Sequence, residues 1–110
     1  MSRVIIRRKK SFIERFRNFN IYLDGDKVMS VKNGEQVVLN ITPGKHLIII
    51  KIDWNTSNSI IFELKEGQTI QYKVFVDGFF RAFYHAIAKP NKYLVLKEEP
   101  VRDKHHGAKH

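Results

Sequence analysis

Apolar and polar positions alternate along most of the chain, in short segments separated by glycine-containing turns. The turns are Asp24-Gly25-Asp26, Asn33-Gly34-Glu35, Pro43-Gly44-Lys45 and Glu66-Gly67-Gln68. Regular turns between short β-branched segments predict an all-β domain. Period-two alternation puts one row of each segment inward and the other toward water. The predicted inward rows are Val4 and Ile6; Phe19, Ile21 and Leu23; Met29 and Val31; Val37, Leu39 and Ile41; His46, Ile48, Ile50, Ile52 and Trp54; Ile60, Phe62 and Leu64; and Ile70, Tyr72, Val74 and Val76. The row from His46 is the longest, and Leu47 and Ile49 make its other face apolar too, which predicts a central strand. Residues 55–58 read as a polar turn, and 93–97 as a strand that closes a sheet.

Two stretches break the alternation. In residues 9–18, Ser11-Phe12-Ile13-Glu14 fits a capping box, with Phe12, Ile13 and Phe16 on one side of a short helix. An irregular connection fits the same residues. In residues 79–89, Arg81, His85 and Lys89 recur at helical spacing among apolar residues, with Asp77 to cap the start and Pro90 to stop it. This predicts one short helix inserted before the last strand. Residues 98–110 hold too few apolar groups to offset ordering entropy and read as a disordered polar tail. The expected fold is thus an all-β, antiparallel β-sandwich of about seven or eight strands, immunoglobulin-like or prealbumin-like, in one domain over residues 1–97.

Composition narrows the chemistry. A chain of 110 residues has room for one domain and one core without staples. It has no cysteine, which excludes disulfides, thiolate metal sites and cysteine nucleophiles. No segment reads as a secretion signal or a membrane-spanning helix, so the expected location is cytoplasmic or peripheral at a membrane. The net charge of +9 is uneven: +6 over residues 1–17, −1 over 18–77 and +4 over 78–110. The basic excess lies in the flanks rather than in the strand-rich middle.

Asp24-Gly25, Pro43-Gly44-Lys45-His46 and the apolar strand after them resemble PEGA-like domains, small bacterial β-sandwich modules. Lys51-Ile52-Asp53-Trp54 with Ser57, and Lys89, Lys92, Tyr93, Leu94 and Leu96, look like a set of uncharacterised small bacterial proteins sharing that core. The resemblance covers roughly residues 19–76, and 3–97 in its looser form. It implies a non-catalytic module tied to the cell envelope, with no inherited catalytic residue.

Motifs of known chemistry are missing from the sequence: there is no P-loop, no nucleophile elbow, no His-Glu-x-x-His and no dinucleotide fingerprint. Asp24, Asp26, Glu35 and Glu66 fall in turns, where they form local hydrogen bonds. Asp53 and Glu63 read as solvent-facing residues more readily than as a carboxylate pair. His46 reads as a hydrogen-bonded strand histidine, with His85 its one candidate co-ligand. His105, His106 and His110 lie in the tail. Trp54 continues the row of Ile50 and Ile52 and reads as core, against a sugar-stacking platform. No catalytic residue, metal site or cofactor is expected.

The candidate binding residues are therefore in the flanks: Arg7, Arg8, Lys9, Lys10, Phe12, Arg15, Phe16 and Arg17, and Phe79, Phe80, Arg81, Phe83, Tyr84, Lys89 and Lys92. Basic side chains attract anionic headgroups and aromatic rings partition into the interface, so the first expectation is docking on an anionic membrane surface or a membrane protein. Nucleic acid is the alternative, since lysine and arginine displace counterions and aromatics stack on bases. A carbohydrate- or protein-binding module is a second alternative, and an edge strand offers a route to a homodimer. The plain reading also stands: residues 79–88 cap one end of the domain, and the basic run is a solvated strand end.

Overall fold

The computed structural model describes residues 1–12, 14–52, 55–76 and 94–101. These residues form nine strands and no helix: β1 (Ser2–Arg8), β2 (Phe19–Leu23), β3 (Asp26–Val31), β4 (Gln36–Ile41), β5 (Gly44–Ile52), β6 (Asn55–Thr56), β7 (Ile60–Leu64), β8 (Thr69–Val76) and β9 (Leu94–Glu99). One sheet has the order β4-β1-β8-β9. The other runs β3-β2-β5, with β6 and β7 both on the far edge of β5. The all-β expectation holds in this two-sheet form. β5 is central, paired with β2 on one side and with β6 and β7 on the other.

The alternating rows meet between the sheets. Val4, Ile6, Leu39, Ile41, Tyr72, Val74, Leu94 and Leu96 from the first sheet join Phe19, Ile21, Val31, Ile48, Ile50, Ile52, Phe62 and Leu64 from the second in one buried cluster. The rings of Phe62 and Tyr72 meet across the sheets at 5.7 Å. Burial and Glu98 push the Tyr72 hydroxyl up to about 12, so it stays neutral in the core.

Four expectations need correction. Pairing is not wholly antiparallel, because β1 lies parallel to β8, with Ile6 opposite Tyr72 and Arg8 opposite Val74. Asn55 and Thr56 do not form a turn; they pair with Ile52 and Lys51, and the Ser57 N–H extends that ladder to the Ile50 carbonyl at 2.8 Å. The last strand runs on to Glu99, so the tail does not begin at 98. The helix read from the capping box is not formed: residues 14–17 turn, and Glu14 has a left-handed φ of 60°. The helix expected over 79–89, together with Trp54 and Asp53, lies outside the described residues.

The Asp24-Gly25 hairpin behaves as its sequence predicts. Both residues have positive φ, 52° and 92°, as a tight hairpin requires. The Asp24 carboxylate then reaches the neighbouring strand. Its Oδ1 accepts the Leu47 N–H at 2.9 Å, and its Oδ2 lies 2.6 Å from His46 Nδ1. His46 Nε2 is 2.8 Å from the Thr42 carbonyl. A ring with acceptors at both nitrogens satisfies both as the doubly protonated imidazolium. The bond to Asp24 raises the His46 pKa from its ordinary value, against the opposing pull of burial. The same bond, followed by the Leu47 N–H, holds the Asp24 carboxyl below the usual carboxylate range.

The pair gives stability a defined pH dependence. The His46 contribution is present in full below its ordinary pKa of about 6.5 and disappears as pH rises through the higher folded value. The Asp24 contribution is present above its ordinary value of about 3.9 and disappears as pH falls through the lower folded value. Urea midpoints measured from about pH 6 to 9 should decline. Asp24→Asn should flatten that decline, with its largest loss of stability at the acid end of this range, where both partners are charged.

Candidate functional site

The N-terminal candidates divide by the parity of β1. Ser2, Val4, Ile6 and Arg8 are buried, on the inward side of the strand. Arg8 is therefore no surface residue: it is 2% exposed, and the expectation that it meets a partner is corrected. Its guanidinium lies 3.5 Å over the Phe19 ring. Nη1 donates to the Arg17 carbonyl at 2.6 Å and to the Val31 carbonyl at 3.1 Å, and Nη2 donates to the Glu14 carbonyl at 2.7 Å. Burial lowers its pKa to about 10, with Glu14 acting in the opposite direction, so the group stays charged at neutral pH.

Arg7 points the other way and is also committed. Its Nε and Nη2 form a fork with the Glu99 carboxylate at 2.9 and 2.8 Å. Gln71 donates to the same carboxylate. The hydrogen bond that Arg7 donates to Glu99 raises the Arg7 pKa, opposed by burial. Arg7 is thus largely neutralised by a residue that the sequence reading placed in the tail.

The remaining candidates of this flank project outward. Lys9, Lys10, Arg15 and Arg17 are exposed. Phe12 and Phe16 are 77% and 87% exposed, although they are large apolar rings. Arg15 sits between them, with its guanidinium 3.9 Å from the Phe12 centroid and 4.5 Å from that of Phe16. Arg17 pairs with Glu14 at 3.0 Å. The turn carrying these groups is braced on two sides. Arg8 grips the Glu14 and Arg17 carbonyls from below, and the Asn33 side chain accepts the Ser11 N–H at 3.0 Å.

Topology places the two strand ends that adjoin the second flank. Because β1 and β8 are parallel, β8 ends at Val76 at the end of the sheet where β1 hands over to residues 9–17. The chain re-enters the sheet at Leu94, paired with Val76. Val76 and Leu94 therefore lie at the end of the sheet from which residues 9–17 depart. Phe79, Phe80, Arg81, Phe83, Tyr84, Lys89 and Lys92 themselves lie outside the described residues.

The sequence reading missed several contributors. Phe19, Glu14 and Asn33 hold the turn. Lys73 and Lys97 stand in one cross-strand row with Arg7, on the outer face of the first sheet. The signal for Arg8 was present, since extending the Ser2, Val4, Ile6 row by one step places it inward. Row membership for Lys73 requires the parallel pairing, which no local pattern encodes. Among the described residues, no group of three or more metal-ligating side chains is found, and no helix is long and apolar enough to cross a membrane. No protein-family model matches the chain, and no curated protein matches it in sequence.

The brace predicts a stability effect. Arg8→Met leaves three carbonyls without their donor and should cost about 3 kcal/mol in urea unfolding. Arg8→Lys should recover a minor part of this, because an ammonium lacks the planar fork that stacks on Phe19 while reaching several carbonyls.

Proposed function

We propose that the protein is a non-catalytic interaction module that docks on an anionic membrane surface through the end carrying residues 9–17. The observation that carries this reading is the Phe12–Arg15–Phe16 cluster: two highly exposed rings around one guanidinium, on a turn fixed from beneath. Leaving two phenylalanines in water is unfavourable, and inserting them at a headgroup boundary removes that cost. Arg15 travels with them and meets lipid phosphate. Lys9 and Lys10 are exposed on the same flank, and each basic group near such a surface contributes about 1 kcal/mol.

A sandwich built of two sheets serves here as a rigid holder, in keeping with the PEGA-like resemblance. Val76 and Leu94, which adjoin the second flank in sequence, lie at the same end of the sheet as the departure of residues 9–17, which supports a single contact face. The competing polyanion is single-stranded nucleic acid, which the same groups would attract.

Vesicle co-sedimentation at low and high salt decides between them. Vesicles rich in phosphatidylserine should bind at low salt, and phosphatidylcholine vesicles and short oligonucleotides should bind far less. Replacing both rings (Phe12→Ala with Phe16→Ala) should weaken binding by roughly tenfold or more, with no loss of thermal stability because both rings are exposed. Equal or tighter binding to oligonucleotides would overturn the membrane reading.

A further inference from the structure

Among the described residues five strands lie at the sheet edges, and four of them are short or guarded; β6 is only two residues long. β3 carries Asp26 and Lys27, and its pairing with β2 is interrupted by a bulge. β7 is short, carries Glu63 and is separated from β6 by residues 57–59. β9 carries Lys97, Glu98 and Glu99 and is followed by Pro100. Its outer edge is also occupied: the Asn58 amide donates to the Leu96 carbonyl and accepts the Leu96 N–H, both at 2.9 Å. Charge, proline, bulges and coverage are the ordinary means by which edges avoid pairing.

Among the described residues β4 has none of them. Gln36-Val37-Val38-Leu39-Asn40-Ile41 holds no charge and no proline, and it pairs with β1 in unbroken register. Among the described residues, no strand pairs with its other edge. The Arg8 N–H donates to the Glu35 carbonyl at 2.9 Å, which fixes the phase of the β1–β4 ladder. Hydrogen-bonded pairs then fall at Ile6 with Val37, Val4 with Leu39 and Ser2 with Ile41. Gln36, Val38 and Asn40 therefore direct their N–H and C=O groups to the open edge. Their side chains share the outer face, where Val38 is 42% exposed.

We propose that β4 pairs antiparallel with β4 of a second copy, about a two-fold axis at Val38, so that two four-stranded sheets become one continuous sheet. The strand is self-complementary in this register. Val38 meets Val38 of the second copy, and Gln36 meets Asn40, an amide opposite an amide. Every outward backbone group on these residues finds a partner. A chain of net charge +9 repels a second copy of itself, and among the edge strands longer than two residues β4 is the one without charge. The antiparallel arrangement also sends the two basic ends to opposite poles, which keeps the like charges apart.

The test is oligomeric state in sedimentation velocity across a concentration series. The wild type should show a concentration-dependent dimer. Val38→Pro removes an N–H that β1 does not use, adds no charge and should abolish the dimer while the far-UV spectrum is retained. Because the chain has no cysteine, Val38→Cys gives a unique thiol. At a hydrogen-bonded antiparallel pair the Cα atoms lie about 5.5 Å apart, within disulfide range. Oxidised Val38→Cys should therefore form a covalent dimer, and Gln36→Cys, opposite Asn40, should not. A monomer at all concentrations would overturn the proposal, as would a dimer that survives Val38→Pro. None of these readouts involves lipid, so failure here leaves the membrane reading intact, and the reverse holds.

Discussion

The buried guanidinium of Arg8 is the interaction on which the arrangement at one end of the molecule depends. A charge taken out of water is costly unless hydrogen bonds and a favourable field replace its hydration. Here the replacement comes from three carbonyls, the face of Phe19 and the nearby Glu14 carboxylate. Those partners come from different parts of the chain. Val31 ends β3, Phe19 begins β2, and Glu14 and Arg17 belong to the turn between β1 and β2. One side chain therefore ties the first sheet to the second and fixes the irregular segment to both. The left-handed Glu14 belongs to this same turn, whose carbonyls face the guanidinium.

The parallel alignment of β1 and β8 is the second constraint. It brings Val76 and Leu94 to the end of the sheet from which residues 9–17 depart. The opposite end is built differently. It holds the Asp24-Gly25 hairpin and its His46 contact, together with the Met1–Glu66 pair, where acids and bases neutralise each other. The molecule is thus polar along its strands: a basic, aromatic end held by Arg8, and a balanced end held by Asp24 and His46. In the proposed β4 dimer these polar axes run in opposite directions. Where both proposals hold, one dimer would present a membrane-facing end at each pole.

Much of this was legible in the chain. The turns fell where glycine and proline placed them, His46 proved to be a hydrogen-bonded strand residue, and the described inward rows supplied the core except at Met29, which is exposed on β3. Local alternation carries that information because it depends on neighbours in sequence. The errors came from contacts that span the chain. Arg7-Arg8-Lys9-Lys10 looks like uniform positive charge, yet period two turns Arg8 inward and Glu99, ninety-two positions from Arg7, claims its neighbour. Glu99 looked like tail because its strand depends on partners such as Gln71. Asn55 and Thr56 looked like a turn because a two-residue strand has no periodicity to display. The exposed pair of phenylalanines was in the candidate set, but the brace beneath it was not.

The central claim is that one end of the molecule, braced by Arg8, faces lipid. Amide NMR with spin-labelled phosphatidylserine in anionic bicelles tests it most directly. Resonance broadening should concentrate on residues 9–17 and the adjoining 32–35 turn, and should spare the Asp24-Gly25 hairpin and Gly67. Broadening centred on that opposite end, or spread evenly over both sheets, would contradict the account.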